Sequence, residues 1–277
     1  MRTAGRVVGA TLLAACVASA CSTTREAPAQ TGSAPRAQDG KPDLTGVYQT
    51  SARRGDWDFD VPGEEPGVPA ARPAGTIAAV QRDPVPYQDW ARVKAQEYLD
   101  RRSIDDPAAY CRPQSSPRMT PTGLFPIQFI QTPQQVAILY EYFWLFRVIP
   151  TDGRGHADDV DPSFMGDSVG RWDGDTLVVD VTNFKDGGWL APGVFHSDAL
   201  HLTERYTRVD HDQLNYEATV EDSKVFTAPW KIRVTLMLRE KNRLREYSCM
   251  ENNVDMQRYQ EFVKNPALFV RKPEGAR

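Results

Sequence analysis

Alternating apolar and polar residues run through most of the chain between Pro126 and Cys249, and this pattern restricts the fold more than any other feature. The clearest case is residues 230–239, in which every second residue is large and apolar as far as Leu238. Successive side chains of a β-strand point to opposite faces, so a period of two predicts strands with one buried face. Ten strands are predicted, at residues 44–50, 126–131, 136–141, 145–149, 168–172, 176–183, 200–208, 214–221, 230–239 and 244–249.

Turn residues separate these segments at short intervals. Asp173-Gly174 lies between two of them and predicts a tight hairpin, because a type I′ turn needs positive φ at both central residues. A sheet of many short strands leaves exposed edges unless it closes or folds over on itself. The expected fold is therefore mainly β, an antiparallel lipocalin-like barrel with a β-sandwich as the alternative. Residues 86–102 begin with a proline and are rich in helix formers, which predicts one principal helix, and the proline- and glycine-rich residues 52–82 predict a surface loop.

The N-terminus has the features of a bacterial lipoprotein signal, which we assign to residues 1–20. Arg2 and Arg6 precede an apolar stretch, residues 7–15, that is too short to span a bilayer. The sequence LAAC, which ends at Cys16, resembles a lipobox, in which the cysteine is lipidated and becomes the first residue. The segment that ends at Cys21 is a second, weaker match.

Several expectations follow from this leader. The residue after either cysteine is not aspartate, which by resemblance to lipoprotein sorting indicates the outer membrane, with the protein facing the periplasm. Residues 22–41 contain no aromatic residue and predict a flexible tether, and residues 42–277 are expected to form one β-rich domain that contacts the membrane through the lipid anchor only. The alternative is an ordinary secretory signal cut near Ala20.

The charge of the chain argues against one class of partner, and its cysteine content predicts a disulfide. The chain has 33 Lys and Arg residues against 37 Asp and Glu residues, so nothing favours nucleic acid as a partner. Cys111 and Cys249 are the two cysteines after the leader, and an oxidising compartment predicts a disulfide between them, with two buried free thiols as the alternative.

Residues 170–184, GRWDGDTLVVDVTNF, resemble the signature of an uncharacterised family of secreted bacterial proteins that often carry lipoprotein signals. The family pattern continues with a histidine and a Glu-Arg pair, which match His196-Ser197 and Glu204-Arg205, and Asp152-Gly153-Arg154 also fits upstream. The resemblance covers roughly residues 41–253. It implies no particular activity.

Three sequence patterns resemble a catalytic or metal-binding motif but lack features that such a motif requires. Residues 166–170, GDSVG, match the nucleophile elbow of serine hydrolases, but that elbow needs a turn from a strand into a helix, and the motif here runs into a strand. His196, His201 and Glu204 are zinc-ligand types, yet His201 and Glu204 have opposite parity on one strand and point to opposite faces. The acidic residues 152–161 lack the glycine and glutamate of a calcium-binding loop. Neither a metal nor a cofactor is expected.

Ionisable residues within otherwise apolar strands mark the candidate site. An isolated buried charge is costly, so such groups are paired, exposed or functional. We expect Glu141, Arg147, Glu204, His156 and His196 to converge on one cavity; the structural alternative is that Glu141–Arg147, or Glu204 with an arginine, form partly buried ion pairs. The candidate catalytic residues are His156, His196 and Glu204, and the candidate ligand-binding residues are Glu141, Arg147, Tyr140, Trp144 and Trp230.

Three functions are compatible with these features. The first is binding of a small, largely apolar molecule in the barrel. The second is a cofactor-independent enzyme, such as a lyase, isomerase or hydrolase, that uses His and Glu as acid and base. The third is an envelope scaffold without a small-molecule site.

The leader generates a direct test of anchoring. Replacement of both Cys16 and Cys21 by serine should release the protein from the membrane fraction or block its processing, because a serine cannot carry the thioether-linked lipid. Membrane fractionation followed by mass measurement of the mature N-terminus reports the result. Wild-type protein found wholly in the soluble periplasmic fraction would contradict the anchor.

Overall fold

The computed structural model describes residues 33–50, 80–101, 104–120, 125–251 and 253–265. The signal peptide, the first part of the tether and most of the surface loop predicted for residues 52–82 lie outside these ranges. The elements are β1 (Gly46–Thr50), β2 (Val80–Arg82), α1 (Asp89–Asp100), β3 (Ile127–Gln131), β4 (Gln135–Tyr140), β5 (Phe146–Pro150), β6 (Asp167–Asp173), β7 (Thr176–Thr182), β8 (Trp189–Ala191), β9 (Val194–Phe195), β10 (His201–Arg208), β11 (Gln213–Glu221), β12 (Trp230–Leu238) and α2 (Val254–Lys264).

One antiparallel sheet curls into a nearly closed barrel, which confirms the predicted fold. Its strands follow the order β5-β4-β3-β1-β12-β11-β10-β7-β6, and β2 pairs with β12 beside β1. β8 and β9 form a separate small hairpin. Within the described ranges, no helix is both long enough and apolar enough to cross a bilayer.

Nine of the ten predicted strands are confirmed, and the tenth, at residues 244–249, is wrong. β12 is already paired with β11 on one side and with β1 and β2 on the other, so the segment that follows it cannot form a hairpin with β12. The hairpin between β6 and β7 is confirmed, but Asp173 pairs with Thr176 and the central residues are Gly174 and Asp175. Only Gly174 has positive φ (58°), so the turn is not type I′.

The barrel closes between β5 and β6 without a ladder of backbone hydrogen bonds. A Cβ atom at Gly170 on β6 would lie 2.8 Å from Ile149 Cγ2 on β5 and 3.1 Å from Thr151 Cγ2. Such contacts are too short for a real side chain, so glycine is required here for the close approach of the two strands. We call this junction the seam.

A buried segment of irregular chain, residues 114–120, fills part of the barrel interior. Its residues are almost fully inaccessible to solvent, and they meet the inward-facing aromatic side chains Tyr48, Phe129, Tyr206 and Tyr216 of the strands. Arg118 makes a bidentate ion pair with Asp106 (2.9 and 2.7 Å), and the Asp106 carboxylate also accepts from the Ala108 amide. These bonds hold Arg118, near the end of the buried segment, to the chain that precedes the segment.

The principal helix is confirmed as α1, which packs on the β8–β9 hairpin. Its buried residues are Ala91 and Ala95, whose small side chains allow a close approach. Tyr98 contacts the ring of Trp189 with a centroid distance of 4.7 Å, and Trp90 contacts Phe195 at 5.7 Å. The helix thus covers one end of the barrel through aromatic contacts.

The predicted disulfide between Cys111 and Cys249 is confirmed; it links residues 138 positions apart. It joins the segment after α1 to the segment before α2, a helix that was not predicted. Asn253 caps α2 by accepting from the Met256 amide. The described part of the predicted tether lies against the barrel, since Arg36 forms an ion pair with Asp175 in the β6–β7 turn.

The seam gives a stability prediction. Gly170→Ala should lower the free energy of unfolding by about 1–3 kcal/mol, because the new methyl group pushes β5 and β6 apart. The control is Gly155→Ala, at a glycine where an added Cβ atom would meet no other atom within 4 Å. Urea unfolding measures both variants, and equal stability of the two would contradict the close approach at the seam.

Candidate functional site

An ion pair between Arg147 on β5 and Glu204 on β10 crosses the lumen of the barrel. The Arg147 Nη2 atom lies 2.7 Å from Glu204 Oε2, and Nη1 lies 3.1 Å from Oε1, in a bidentate arrangement. Both side chains are almost completely buried. β5 and β10 do not pair with each other, and β6 and β7 lie between them across the seam, so the ion pair connects two separate parts of the barrel wall through the lumen.

Three hydroxyl groups complete the coordination of the ion pair. Ser116 of the buried segment and Tyr216 on β11 donate to Glu204 Oε1 at 2.8 and 2.7 Å. Arg147 donates to Ser116 Oγ (3.1 Å) and, across the seam, to Ser168 Oγ on β6 (2.9 Å). The pair therefore ties together two walls, the interior segment and both strands at the seam.

Burial and the neighbouring charge shift the pKa of Arg147 in opposite directions. Burial alone would lower the pKa of Arg147, but the neighbouring Glu204 carboxylate outweighs this and raises the pKa well above its usual value. Burial, followed by the charge of Glu204, raises the pKa of Tyr216. The arginine stays charged, and the tyrosine keeps its proton as a donor to Glu204.

Four polar atoms beside the ion pair make no hydrogen bond of good geometry. They are the hydroxyl groups of Tyr140, Tyr206 and Thr120 and the Nε atom of Arg147, all buried. Burial raises the pKa of both tyrosines, so both hydroxyls stay protonated. These groups lie against one another, because the Tyr140 and Tyr206 hydroxyls contact Thr120 and the Tyr140 hydroxyl also contacts Arg147.

His196 lies next to the same cluster, joined to it by the adjacent serines 115 and 116. Its Nδ1 atom lies 2.8 Å from the Ser197 carbonyl oxygen, so Nδ1 carries the proton and Nε2 accepts from Ser115 Oγ at 2.7 Å. Burial lowers the pKa of His196, which stays a neutral base. A Cβ atom at Gly188 would lie 2.0 Å from Ser115 Oγ, so the backbone of Gly188 covers this pair.

A pocket of about 360 Å³ opens at the seam and reaches the ion pair from outside. Arg147 and Ser168 line it, together with the charged Asp167. Its remaining wall is mostly apolar and comes from both strands and from the segment that precedes β6. The apolar lining residues are Pro113, Leu145, Phe146, Val148, Phe164 and Met165.

His156 lies outside the barrel, in a chain of alternating histidines and carboxylates. Its Nδ1 contacts Asp167 (2.6 Å) and its Nε2 contacts Asp180 (2.8 Å); His201 in turn lies between Asp180 (2.7 Å) and Glu221 (3.1 Å). Burial lowers the pKa of His156, but the two carboxylates outweigh it and the net direction is up. No group of three or more His, Cys, Asp or Glu side chains in the described part of the chain is arranged to hold a metal ion.

The structure brings only some of the predicted site residues together. Arg147, Glu204, Tyr140 and His196 come together in the lumen, and Arg147–Glu204 is the ion pair anticipated as one structural alternative. The prediction of one shared cavity is wrong for two of its five members. His156 lies on the outer side of the barrel, where it contacts Asp167. Glu141 follows the last residue of β4, outside the lumen, and accepts a hydrogen bond from the Arg245 amide (2.7 Å).

The two predicted tryptophans also lie apart from the cluster. Trp144 is 59% exposed on the outer surface, at the end of the short 3₁₀ turn that follows β4. Trp230 is buried at the start of β12, where it packs against Phe226 with a centroid distance of 5.5 Å. The roles assigned to these residues remain predictions.

Sequence reasoning missed most of the polar partners in the lumen. Tyr206 and Tyr216 are on the inward faces of predicted strands, and the parity that placed Glu204 inward contained that signal. Ser168 was considered only within GDSVG, and it lies on a strand with its hydroxyl on Arg147, not on a nucleophile elbow. Nothing in the irregular, proline-flanked segment around Ser115 and Ser116 indicates that it enters the barrel.

Comparisons with known proteins identify no relative. No model of a known protein family matches the chain, and no curated protein is significantly similar to it. Fold and site together define the class: a nearly closed antiparallel barrel with a charged, hydrogen-bonded interior and a pocket at its seam.

The buried pair predicts a strong coupling between its members. Arg147→Met and Glu204→Gln should each lower the free energy of unfolding by about 3–5 kcal/mol, since each leaves an uncompensated charge in the lumen. The double variant should be less destabilised than the sum of the two, because no buried charge remains and glutamine still accepts from Ser116 and Tyr216. Urea unfolding of all four proteins measures the coupling, and strictly additive losses would rule it out.

Proposed function

We propose that this protein is a lipid-anchored protein of the bacterial envelope that binds a small, largely apolar molecule with one hydrogen-bond acceptor. The seam pocket carries this proposal. Its volume of about 360 Å³ falls within the range of small-molecule sites, and its walls combine apolar side chains with a few polar groups at one end. The leader sequence and the resemblance to secreted bacterial proteins support the envelope location.

The polar end of the pocket determines which molecules fit. Arg147 and Ser168, which are joined by a hydrogen bond of 2.9 Å, both line this end of the pocket. Both favour a carbonyl, ether or hydroxyl oxygen on the ligand. A full negative charge is less favourable here, because Asp167 and Glu204 are close to the same end. The apolar part of the molecule would lie against Val148, Phe164 and Met165.

A second candidate function is a cofactor-independent acid/base enzyme, and the pair of His196 with Ser115 supports it. His196 has a free-base Nε2 that accepts the Ser115 proton, which is the arrangement used to activate a serine. Gly188 covers this pair and both side chains are buried, so catalysis would require an opening movement. Binding needs no such movement, and it is the function we favour.

Binding of N-phenyl-1-naphthylamine, a small apolar fluorescent probe, tests the seam pocket. Phe164→Ala should weaken binding by roughly three- to tenfold, since the lost ring contacts correspond to about 1 kcal/mol. Trp90→Ala, which removes an exposed ring on α1 far from the seam, should leave the affinity unchanged. Equal affinities of all three proteins would place the probe elsewhere.

Native mass spectrometry of the processed protein mixed with cell extract separates the two candidates. A small molecule retained on the protein, and lost from the Phe164→Ala variant, supports binding. Depletion of one extract component with the appearance of a new mass, abolished by His196→Ala, supports the enzyme instead.

A further inference from the structure

The outer surface of the barrel differs sharply between its two halves. On β7, β10, β11 and β12, outward side chains are charged and paired across strands. Glu217 contacts Lys231 (2.7 Å) and Arg233 (2.9 Å), and Arg205 contacts Asp173 in the β6–β7 hairpin (3.1 Å). This half has the surface expected of a strand face in water.

The outward positions of β3, β4 and β5 carry no charged side chain. Ile130, Ala137 and Val148 lie in one row across the three strands, and Gln128, Leu139 and Phe146 form the next row. Ile130, Val148 and Phe146 are 42%, 46% and 66% exposed, and Trp144 beside them is 59% exposed. We call Ile130, Leu139, Trp144, Phe146 and Val148 the apolar face.

An uncharged, apolar surface at this position is unusual. β5 is the last strand of the sheet path, and edge strands of soluble proteins are commonly protected by charged side chains. Phe143 and Trp144 also have positive φ (59° and 53°), a backbone conformation that is costly for large side chains. A contiguous exposed patch of this kind indicates contact with another surface.

Basic residues border the apolar face. The segment from Arg239 to Glu246 runs from the end of β12, where the Arg239 amide donates to Val47, to Glu141, which accepts from the Arg245 amide. Leu244 and Arg245 line an outer pocket of about 390 Å³ together with Trp144 and Phe146, and Glu141 and Glu246 line it as well. The cations of this segment outnumber its two carboxylates, Glu240 and Glu246; they are Arg239, Lys241, Arg243 and Arg245.

We propose that the apolar face docks on the surface of an anionic lipid bilayer. Exposed aromatic rings next to Lys and Arg side chains are the combination that binds such surfaces, because the rings enter the interface and the cations meet the anionic headgroups. The net positive charge of the bordering segment favours anionic headgroups over a second copy of this chain, because contact between two copies of the face would bring two segments of like charge together. The inference does not depend on a ligand in the seam pocket, and it adds a second membrane contact to the expected lipid anchor.

Docking has a geometric consequence for the seam. Phe146 and Val148 belong both to the apolar face and to the wall of the seam pocket. Contact of this face with a bilayer would therefore bring the mouth of the pocket next to the lipid. A protein held by a flexible anchor alone would present no particular face to the membrane.

Tryptophan fluorescence with brominated lipids tests the orientation. The processed full-length protein is mixed with vesicles of brominated phosphatidylcholine, with and without phosphatidylglycerol, and quenching of its emission is measured. We expect quenching that increases with phosphatidylglycerol and is mostly lost in Trp144→Phe. Trp90→Phe is the matched control, because Trp90 is 56% exposed but lies on α1, and this variant should retain the quenching.

A second variant tests the surface without touching a tryptophan. Phe146→Glu/Val148→Glu should lose the quenching even where a lipid anchor keeps the protein on the vesicles, whereas Val209→Glu, at an equally exposed valine elsewhere, should not. Unchanged quenching in Trp144→Phe, or no quenching of the wild type, would overturn the proposal. Size-exclusion chromatography provides the other decisive outcome: a wild-type dimer that the Phe146→Glu/Val148→Glu variant dissociates would make the face a contact between copies.

Discussion

The Arg147–Glu204 ion pair is the interaction on which the arrangement of this barrel depends. It spans the lumen, reaches the interior segment through Ser116, and crosses the seam to Ser168. Removing two charges from water is expensive, and the cost is offset here by a bidentate geometry and by the hydroxyl groups of Ser116, Ser168 and Tyr216, which bond to the charged groups. No ladder of backbone hydrogen bonds joins β5 and β6, the two ends of the sheet. Gly170 allows these strands to pack closely but forms no bond between them, so the hydrogen bond from Arg147 to Ser168 provides the connection.

This polar interior also explains how the site differs from an open ligand cavity. The buried segment and the aromatic side chains occupy the lumen around the ion pair, and the pocket lies at the seam, beside β5. The same strand contributes Phe146 and Val148 to the outer apolar face. Ligand binding at the seam and docking of the outer face on lipid would thus share the outward side chains of one edge strand.

Much of the fold was predictable, and the failures have identifiable causes. The alternating pattern predicted nine strands because one face of each is buried in the lumen. The same pattern at residues 244–249 predicted a tenth strand that does not form, since both sides of β12 are already paired. α2 was missed because its helix depends on the Asn253 cap and on the adjacent disulfide. For the site, parity correctly placed Glu204 inward and His201 outward, but it carried no information on which distant strand would face Glu204.

The sequence alone determined the class of fold, the disulfide partners and the faces on which strand residues lie, because these follow from local periodicity and from the presence of only two cysteines after the leader. Only the tertiary structure decided that Arg147 meets Glu204, that Ser115 and Ser116 enter the barrel, and that His156 and Glu141 stay outside. It also decided that one half of the outer surface is free of charge. The physical reason is that closure of the barrel joins residues far apart in the chain, and the curvature and strand order that select those partners are properties of the whole sheet rather than of any segment.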